Sequence, residues 1–491
     1  MKLKNILSSL LVLAALTGGV LPVNAATPYR THRFYSFKSL PECQEGDILF
    51  VGNSITNMMN WWEAFGSRDN IRGRGNSGAS SGELLNYFDD IVKGNPAKVF
   101  LMIGTNDLGS EGDFNTPDSV AGRIIEFLDR TRKKVPGAEI YYQSILPSLN
   151  GKRTKEKTEK TNRLVAEWIT AQNDPKTVYV DLYTPMVAED GNIIKTAPAP
   201  DPDALSYDGL HLTQQGYKLW LDIIKPYVGY EPVYGEKAVN LAGGMVTSNG
   251  MRVSYFGALP VFSDDILLIG DETIHNGEWQ ERLNNTNIKD RGIGWGFPGI
   301  TIATLEGAFD PILSGNAENG VVKETPKAVA LYSGTGEVMK GWNADSLFQS
   351  YTHALGLLRE KLPQTPLFAM TLLPMQKAET EKNQVIKQFN RMLTEYVADP
   401  ALNISLIDMY EAVGGDNRVE AYFIGEDSPF INGDGYVVLA QAIGNALNGL
   451  ITLSDYSLLP LPQHISFGTG TVAAGKVVVE SPFGVSGHRI Y

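Results

Sequence analysis

The chain has 491 residues, of which 43% are hydrophobic and 20% charged, with a formal net charge of -13. That length predicts two or three domains with proper cores, and the acidic balance argues against nucleic acid as a partner, because phosphate backbones are gripped by clustered Lys and Arg. Cys43 is the single cysteine, so no disulfide can form within the chain.

In chain order, Lys2 and Lys4 precede an apolar run from Ile6 to Leu21, and Val23 and Ala25 stand three and one residues before a cut after residue 25. This is the layout of a secretory signal peptide, and it predicts export to the periplasm, the cell surface or the exterior. No second run of about 20 apolar residues follows, so no stable membrane insertion is expected after signal removal.

The next 200 residues alternate short apolar runs with longer amphipathic stretches. The pattern predicts strands near 48–53, 70–74, 98–104, 139–146 and 178–183, with helices near 80–93, 118–134, 155–172 and 213–227. The strand segments are almost continuously apolar, the mark of strands buried on both faces. The fold class is therefore α/β: a mainly parallel sheet between helical layers, with sites at the carboxyl ends of the strands.

Four segments at those ends carry candidate chemistry. Gly52-Asn53-Ser54-Ile55-Thr56 puts a serine on a strand-to-helix turn, where its hydroxyl is lifted from the sheet edge; taken alone, Ser54 could equally be a helix cap. Gly75-Asn76-Ser77-Gly78-Ala79-Ser80 is a turn whose glycines admit close backbone approach. Ile103-Gly104-Thr105-Asn106-Asp107 offers the Asn106 amide to a developing oxyanion, or is simply an Asn-Asp turn. Asp208-Gly209-Leu210-His211 spaces a carboxylate three residues from an imidazole, which suits an orienter and a base. Histidine is scarce here, with only His32 and His211 between the signal and residue 230.

In this order the blocks GNSIT, NSGAS, GTND and DGLH resemble those of the SGNH hydrolases, also called GDSL esterases and lipases, over residues 47–228. The resemblance implies Ser54 as nucleophile, His211 as general base and acid, and Asp208 as its orienter. It implies an oxyanion hole made of the Ser54 N–H, the Gly78 N–H and the Asn106 amide, with no metal or cofactor. Asn53 departs from the Asp that this motif often carries.

The first half then returns. Asp47-Ile48-Leu49-Phe50-Val51-Gly52 is echoed by Asp265-Ile266-Leu267-Leu268-Ile269-Gly270, Lys98 to Thr105 by Lys327 to Thr335, Asn162-Arg163-Leu164 by Asn390-Arg391-Met392, and Val180-Asp181-Leu182-Tyr183 by Ile407-Asp408-Met409-Tyr410. A period above 200 residues means duplicated domains. The copy places Glu272 at Ser54, Gly336 at Asn106 and Phe430 at His211, with Asp427 at Asp208, so the acyl-transfer parts are lost. Glu272, His275 and Glu337 could form a different polar pocket, and Trp279, Trp295 and Trp342 could stack on sugars or fill a core.

The organisation expected is a signal peptide (1–25), a catalytic domain (26–230), a connector (231–257), a degenerate SGNH-like, flavodoxin-like domain (258–455) lying against the active one, and a tail (456–491). The function expected is a secreted Ser-His-Asp esterase acting on a small-molecule or glycan ester, with short acyl groups such as acetyl favoured. The alternatives are a lysophospholipase or lipase-type acylhydrolase and a non-catalytic glycan-binding protein. Trp61 and Trp62 could line the cleft or belong to the core.

Overall fold

The continuous apolar runs become central strands with a core on each side. The computed structural model describes residues 28–149, 151–188, 194, 203–235, 248–294, 299–314, 324–377, 380–424 and 429–450. The expected signal peptide and tail, Trp295 and Asp427 therefore lie outside the described residues. In the first half β1 (Ile48–Gly52), β2 (Ile71–Gly75), β3 (Lys98–Met102), β4 (Glu139–Gln143) and β5 (Thr177–Val180) form one parallel sheet in the order β2-β1-β3-β4-β5. Ile48 and Phe50 of β1 face one core, Leu49 and Val51 the other. Helices Pro117–Lys134 and Lys155–Gln172 cover the second of these cores, and Gln214–Val228 covers the first.

The second half repeats this plan. Strands β6 (Ile266–Gly270), β7 (Ile288–Gly292), β8 (Ala328–Tyr332), β9 (Leu367–Met370) and β10 (Ile404–Ile407) pair in parallel as β7-β6-β8-β9-β10, the same winding one copy later. Both halves are thus three-layer α/β/α folds. The sequence echoes mark shared contacts. The Asn162 amide brackets the backbone N–H and C=O of Ile145 at 2.9 and 3.0 Å, and the Asn390 amide does the same to Leu372 at 2.8 and 2.9 Å. Gly75 and Gly292 each lie where a Cβ would stand 2.3 and 2.2 Å from the backbone nitrogen of Asn57 and His275, so the turn after the first strand can rest on the second strand.

The halves meet as an isologous dimer would, each patch facing its own copy. Arg74 of β2 makes a two-pronged pair with Glu281 at 2.8 and 2.8 Å, and Arg291 of β7 makes the reciprocal pair with Glu63 at 2.9 and 2.5 Å. All four side chains are buried. Burial opposes the charge on Glu63 and Glu281, but the facing guanidinium outweighs it and holds each carboxyl below the usual Glu range. Asn57 and His275 occupy the same place in the two copies and bond to each other at 2.9 Å, on the axis of this pseudo-symmetry.

Two helices clasp the halves together. Pro28–Lys38, which no sequence pattern announced, packs on Gly433–Ala446 of the second half. Ser248–Phe256, within the stretch expected as a connector, packs on Gln214–Val228 of the first. Their arginines act alike: Arg33 Nε donates to Gly75 O at 2.6 Å and Arg252 Nε to Gly292 O at 2.7 Å. No helix among the described residues is long and apolar enough to cross a membrane.

Candidate active site

Since β1 lies between β2 and β3, the turns leaving these three strands converge at one edge of the sheet. Ser54, Gly78 and Asn106 stand on those turns. At the first, Asn53 is extended (φ -97°, ψ -150°) and its side chain accepts from Ile55 N at 3.0 Å, so Asn53, and not Ser54, caps the short helix Ser54–Asn57. The serine hydroxyl is thereby released from capping. Its Oγ lies 3.0 Å from His211 Nε2.

The histidine arrives on a closed loop. An antiparallel bridge between Ser206 and Leu212 ties the loop's ends, and Thr213 then caps Gln214–Val228 by accepting from Gly216 N. Within it, Asp208 Oδ2 lies 2.7 Å from His211 Nδ1, while Oδ1 accepts the N–H groups of Leu210 and His211 at 2.9 and 2.8 Å. Burial pushes the Asp208 carboxyl up, but the hydrogen bond and charge of His211, with the two backbone N–H groups, outweigh it and hold the group below the usual Asp range. Tyr217 OH donates to Ile55 O at 2.7 Å and fixes the last helix against the turn that carries Ser54. The relay is shielded: Ser54 is 4% exposed and His211 3%.

The sequence-predicted oxyanion donors stand on the same edge. Gly78 has φ +80°, a left-handed conformation that favours glycine. Its carbonyl accepts from Arg30 Nη1 at 2.9 Å. Asn106 donates its amide to Ala79 O at 2.9 Å, joining the second turn to the third and leaving one amide hydrogen for another acceptor. Asp107 serves structure, taking Ser81 N, Ser81 Oγ and Arg123.

The equivalent edge of the second half holds other groups. Glu272 stands at the place of Ser54 and is buried; burial and the Asp271 charge push its carboxyl well above the usual range. Gly336 stands where a Cβ would come 2.2 Å from Ile300 O, so the place of Asn106 is filled by backbone. Phe430 stacks on His32 of the first half at 4.8 Å. Glu272, His275 and Glu337 turn to separate tasks: His275 bonds across to Asn57, Glu337 accepts Ile302 N at 2.7 Å, and the Glu272 carboxyl lies against Gly294 and Gly299. Trp279 is core and Trp342 is exposed. Trp61 stacks on Phe50 at 4.3 Å and Trp62 lies under Lys289 of the second half, so both are packing residues.

Sequence reasoning passed over the residues that hold the Gly75–Gly78 turn. Asn76 Nδ2 donates to Arg30 O at 2.9 Å, and Asn57 Nδ2 to Ser77 Oγ at 3.0 Å. No spacing rule could have found them, because their partners are separated by 20 to 46 residues.

Residues 50–219 match the GDSL-like Lipase/Acylhydrolase family. Among solved structures the chain is similar to a proposed platelet activating factor from Streptococcus pneumonia, at 24% identity over 46% of this chain and 99% of that one, with a TM-score of 0.36. It is also similar to a GDSL-like lipase from Bacteroides thetaiotaomicron, at 24% identity over 40% and 98% with a TM-score of 0.33. A carbohydrate esterase family 3 protein from Talaromyces cellulolyticus is similar at 18% identity over 37% and 96%, with a TM-score of 0.28. None of the curated proteins matches this chain.

Proposed function

We propose that this chain, whose residues 50–219 belong to the GDSL-like lipase/acylhydrolase family, is an exported serine esterase that removes short acyl groups, acetyl above all, from carbohydrates. The observation that carries the reading is the unbroken line from Ser54 Oγ to His211 Nε2, and from His211 Nδ1 to Asp208 Oδ2. In such a line the imidazole takes the serine proton as Oγ attacks the ester carbonyl, and the ionised Asp208 stabilises the imidazolium that forms. His211 then passes that proton to the departing alcohol. Water repeats the attack on the acyl-enzyme, with the imidazole again as base, and frees the acid. The negative oxygen of each tetrahedral intermediate would be met by the N–H groups of Ser54 and Gly78 and the free hydrogen of the Asn106 amide, a preorganised set that costs no reorganisation during reaction.

The shielded position of Ser54 favours a small acyl group, and the acidic chain with its signal-like start favours a neutral, polyhydroxylated alcohol outside the cell. The second half serves as a non-catalytic partner, since a buried carboxyl at Glu272, the backbone-filled site at Gly336 and Phe430 supply neither the hydroxyl, the amide donor nor the imidazole of the first half. Initial rates on p-nitrophenyl esters of increasing chain length and on acetylated sugars, beside Ser54→Ala, test the reading. Acetyl esters should be cleaved fastest and Ser54→Ala should cleave none. Rates that climb towards long chains would favour a lysophospholipase, and an inert parent chain would contradict the proposal.

A further inference from the structure

Resting on the esterase reading, we infer that the second half positions the oxyanion turn of the first, with His275 as the positioning residue at the contact. Gly75 ends β2, and the turn beyond it keeps two backbone bonds, Asn76 N to Gly52 O at 3.0 Å and Ala79 N to Asn76 O at 3.0 Å, to which four side-chain hydrogen bonds add. Arg33 Nε donates to Gly75 O at 2.6 Å, Asn76 Nδ2 to Arg30 O at 2.9 Å, Asn57 Nδ2 to Ser77 Oγ at 3.0 Å, and Arg30 Nη1 to Gly78 O at 2.9 Å. The peptide that ends in the Gly78 N–H is therefore gripped on both sides.

Two of the gripping groups are themselves anchored in the second half. Arg33 extends Nη1 to Asn276 Oδ1 at 3.1 Å and Nη2 to Glu278 Oε1 at 2.5 Å. Asn57 spends its second amide hydrogen on His275 Nε2 at 2.9 Å. An amide nitrogen only donates, so this imidazole accepts at Nε2 and carries its proton on Nδ1, which faces Asp290 Oδ2 at 3.9 Å. Burial, with Arg252 and Arg33 close by, keeps the ring neutral. His275 follows the missing nucleophile by three residues, so the segment that lost its chemistry has become the wall against which the active turn is set. A small displacement of an oxyanion donor costs rate and little binding, because the donor meets charge that develops only in the transition state.

The test is steady-state hydrolysis of p-nitrophenyl acetate by the full chain, with competent sites counted by stoichiometric fluorophosphonate labelling. His275→Ala should lower kcat per site at least about tenfold with KM within about twofold, since sub-ångström misplacement in an active site is costly. His275→Gln, which restores an acceptor for Asn57, should recover most of the loss. Lys289→Met, which cuts the contact between Lys289 and Ser67 across the same interface without touching the turn, should keep the parent kcat. If His275→Ala does not fold, Glu278→Gln, which loosens Arg33, carries the same expectation. An active parent whose His275→Ala variant keeps its kcat, or loses no more than Lys289→Met, overturns the inference alone. A parent that neither hydrolyses esters nor takes the label overturns the esterase reading and this inference together.

Discussion

After β1 the chain enters a helix capped by Asn53, and after β6 it enters one capped by Asp271, each cap accepting a backbone N–H two residues on at 3.0 and 2.9 Å. Both first strands end in a glycine, and both turns lie on a glycine of the neighbouring strand. Yet position 54 offers a hydroxyl to His211, whereas position 272 holds a buried carboxyl that burial and the Asp271 charge push well above its usual range. The lesson is that this scaffold is set by backbone packing and caps, while the chemistry resides in a few side chains that can be exchanged without loss of the turn.

The comparison breaks most sharply at the nucleophile. Ser54→Ala or His211→Ala should each reduce ester hydrolysis on the order of 10⁴-fold or more, measured as kcat/KM, whereas Glu272→Ala should leave the rate within about twofold. A large loss on altering Glu272 would show that the second edge takes part in the reaction. The next effect belongs to Asn106→Ala, which should keep the fold and lose about 10²–10³-fold in kcat; a near-normal rate removes Asn106 from the oxyanion hole. Its mirror, Gly336→Asn, gains no activity and destabilises, because the new side chain meets Ile300 O.

The reciprocal ion pairs sharpen the comparison at the level of stability. Arg74→Ala and Arg291→Ala each strand a buried glutamate, and each should cost about 3–5 kcal/mol in denaturant unfolding. A severe loss for one and none for the other would contradict the pseudo-two-fold account.

The smallest effect concerns the two caps. Burial lifts the Asp271 carboxyl above its ordinary value, and the charge of Glu337 adds to this against opposing hydrogen bonds from Thr273 and Thr335. A carboxyl whose pKa is higher folded than unfolded stabilises while protonated; that contribution is present below the ordinary Asp range and is lost as pH rises towards neutrality. Asp271→Asn, copying Asn53, should therefore flatten the fall of Tm between about pH 4 and 8 and raise Tm at pH 8 by about 2–4 °C per kcal/mol recovered. An unchanged pH profile would remove Asp271 as the titrating group.

The sequence was most informative where function is local. The central strands β1, β3, β6 and β8 showed as apolar runs, whereas β2 and β7 carry the charged residues of the seam between the halves, and Asp208 and His211 are close enough along the chain for their spacing to announce the pairing. The duplication, too, could be read, because packing glycines and bracketing asparagines recur in order. Pro28–Lys38 could not, since it is clasped between the halves: Phe34 and Phe37 enter the core that holds Leu49 and Val51 while His32, Arg33 and Ser36 meet the second half, so no single apolar stripe marks it. Glu337 was open to reading as part of a polar pocket because a buried acid looks alike whether it binds a ligand or a backbone N–H; it does at Ile302 what Asp107 does at Ser81. The role of His275 depends on a partner 218 residues away, which no local pattern encodes.

The central claim is that one serine in the chain is activated and that its counterpart edge is not. Mass spectrometry after fluorophosphonate treatment of the full protein, with peptide mapping, tests this directly. The account predicts a single adduct per chain, on Ser54, that disappears in His211→Ala. An unmodified wild-type protein, or labelling that persists undiminished in Ser54→Ala, would contradict it.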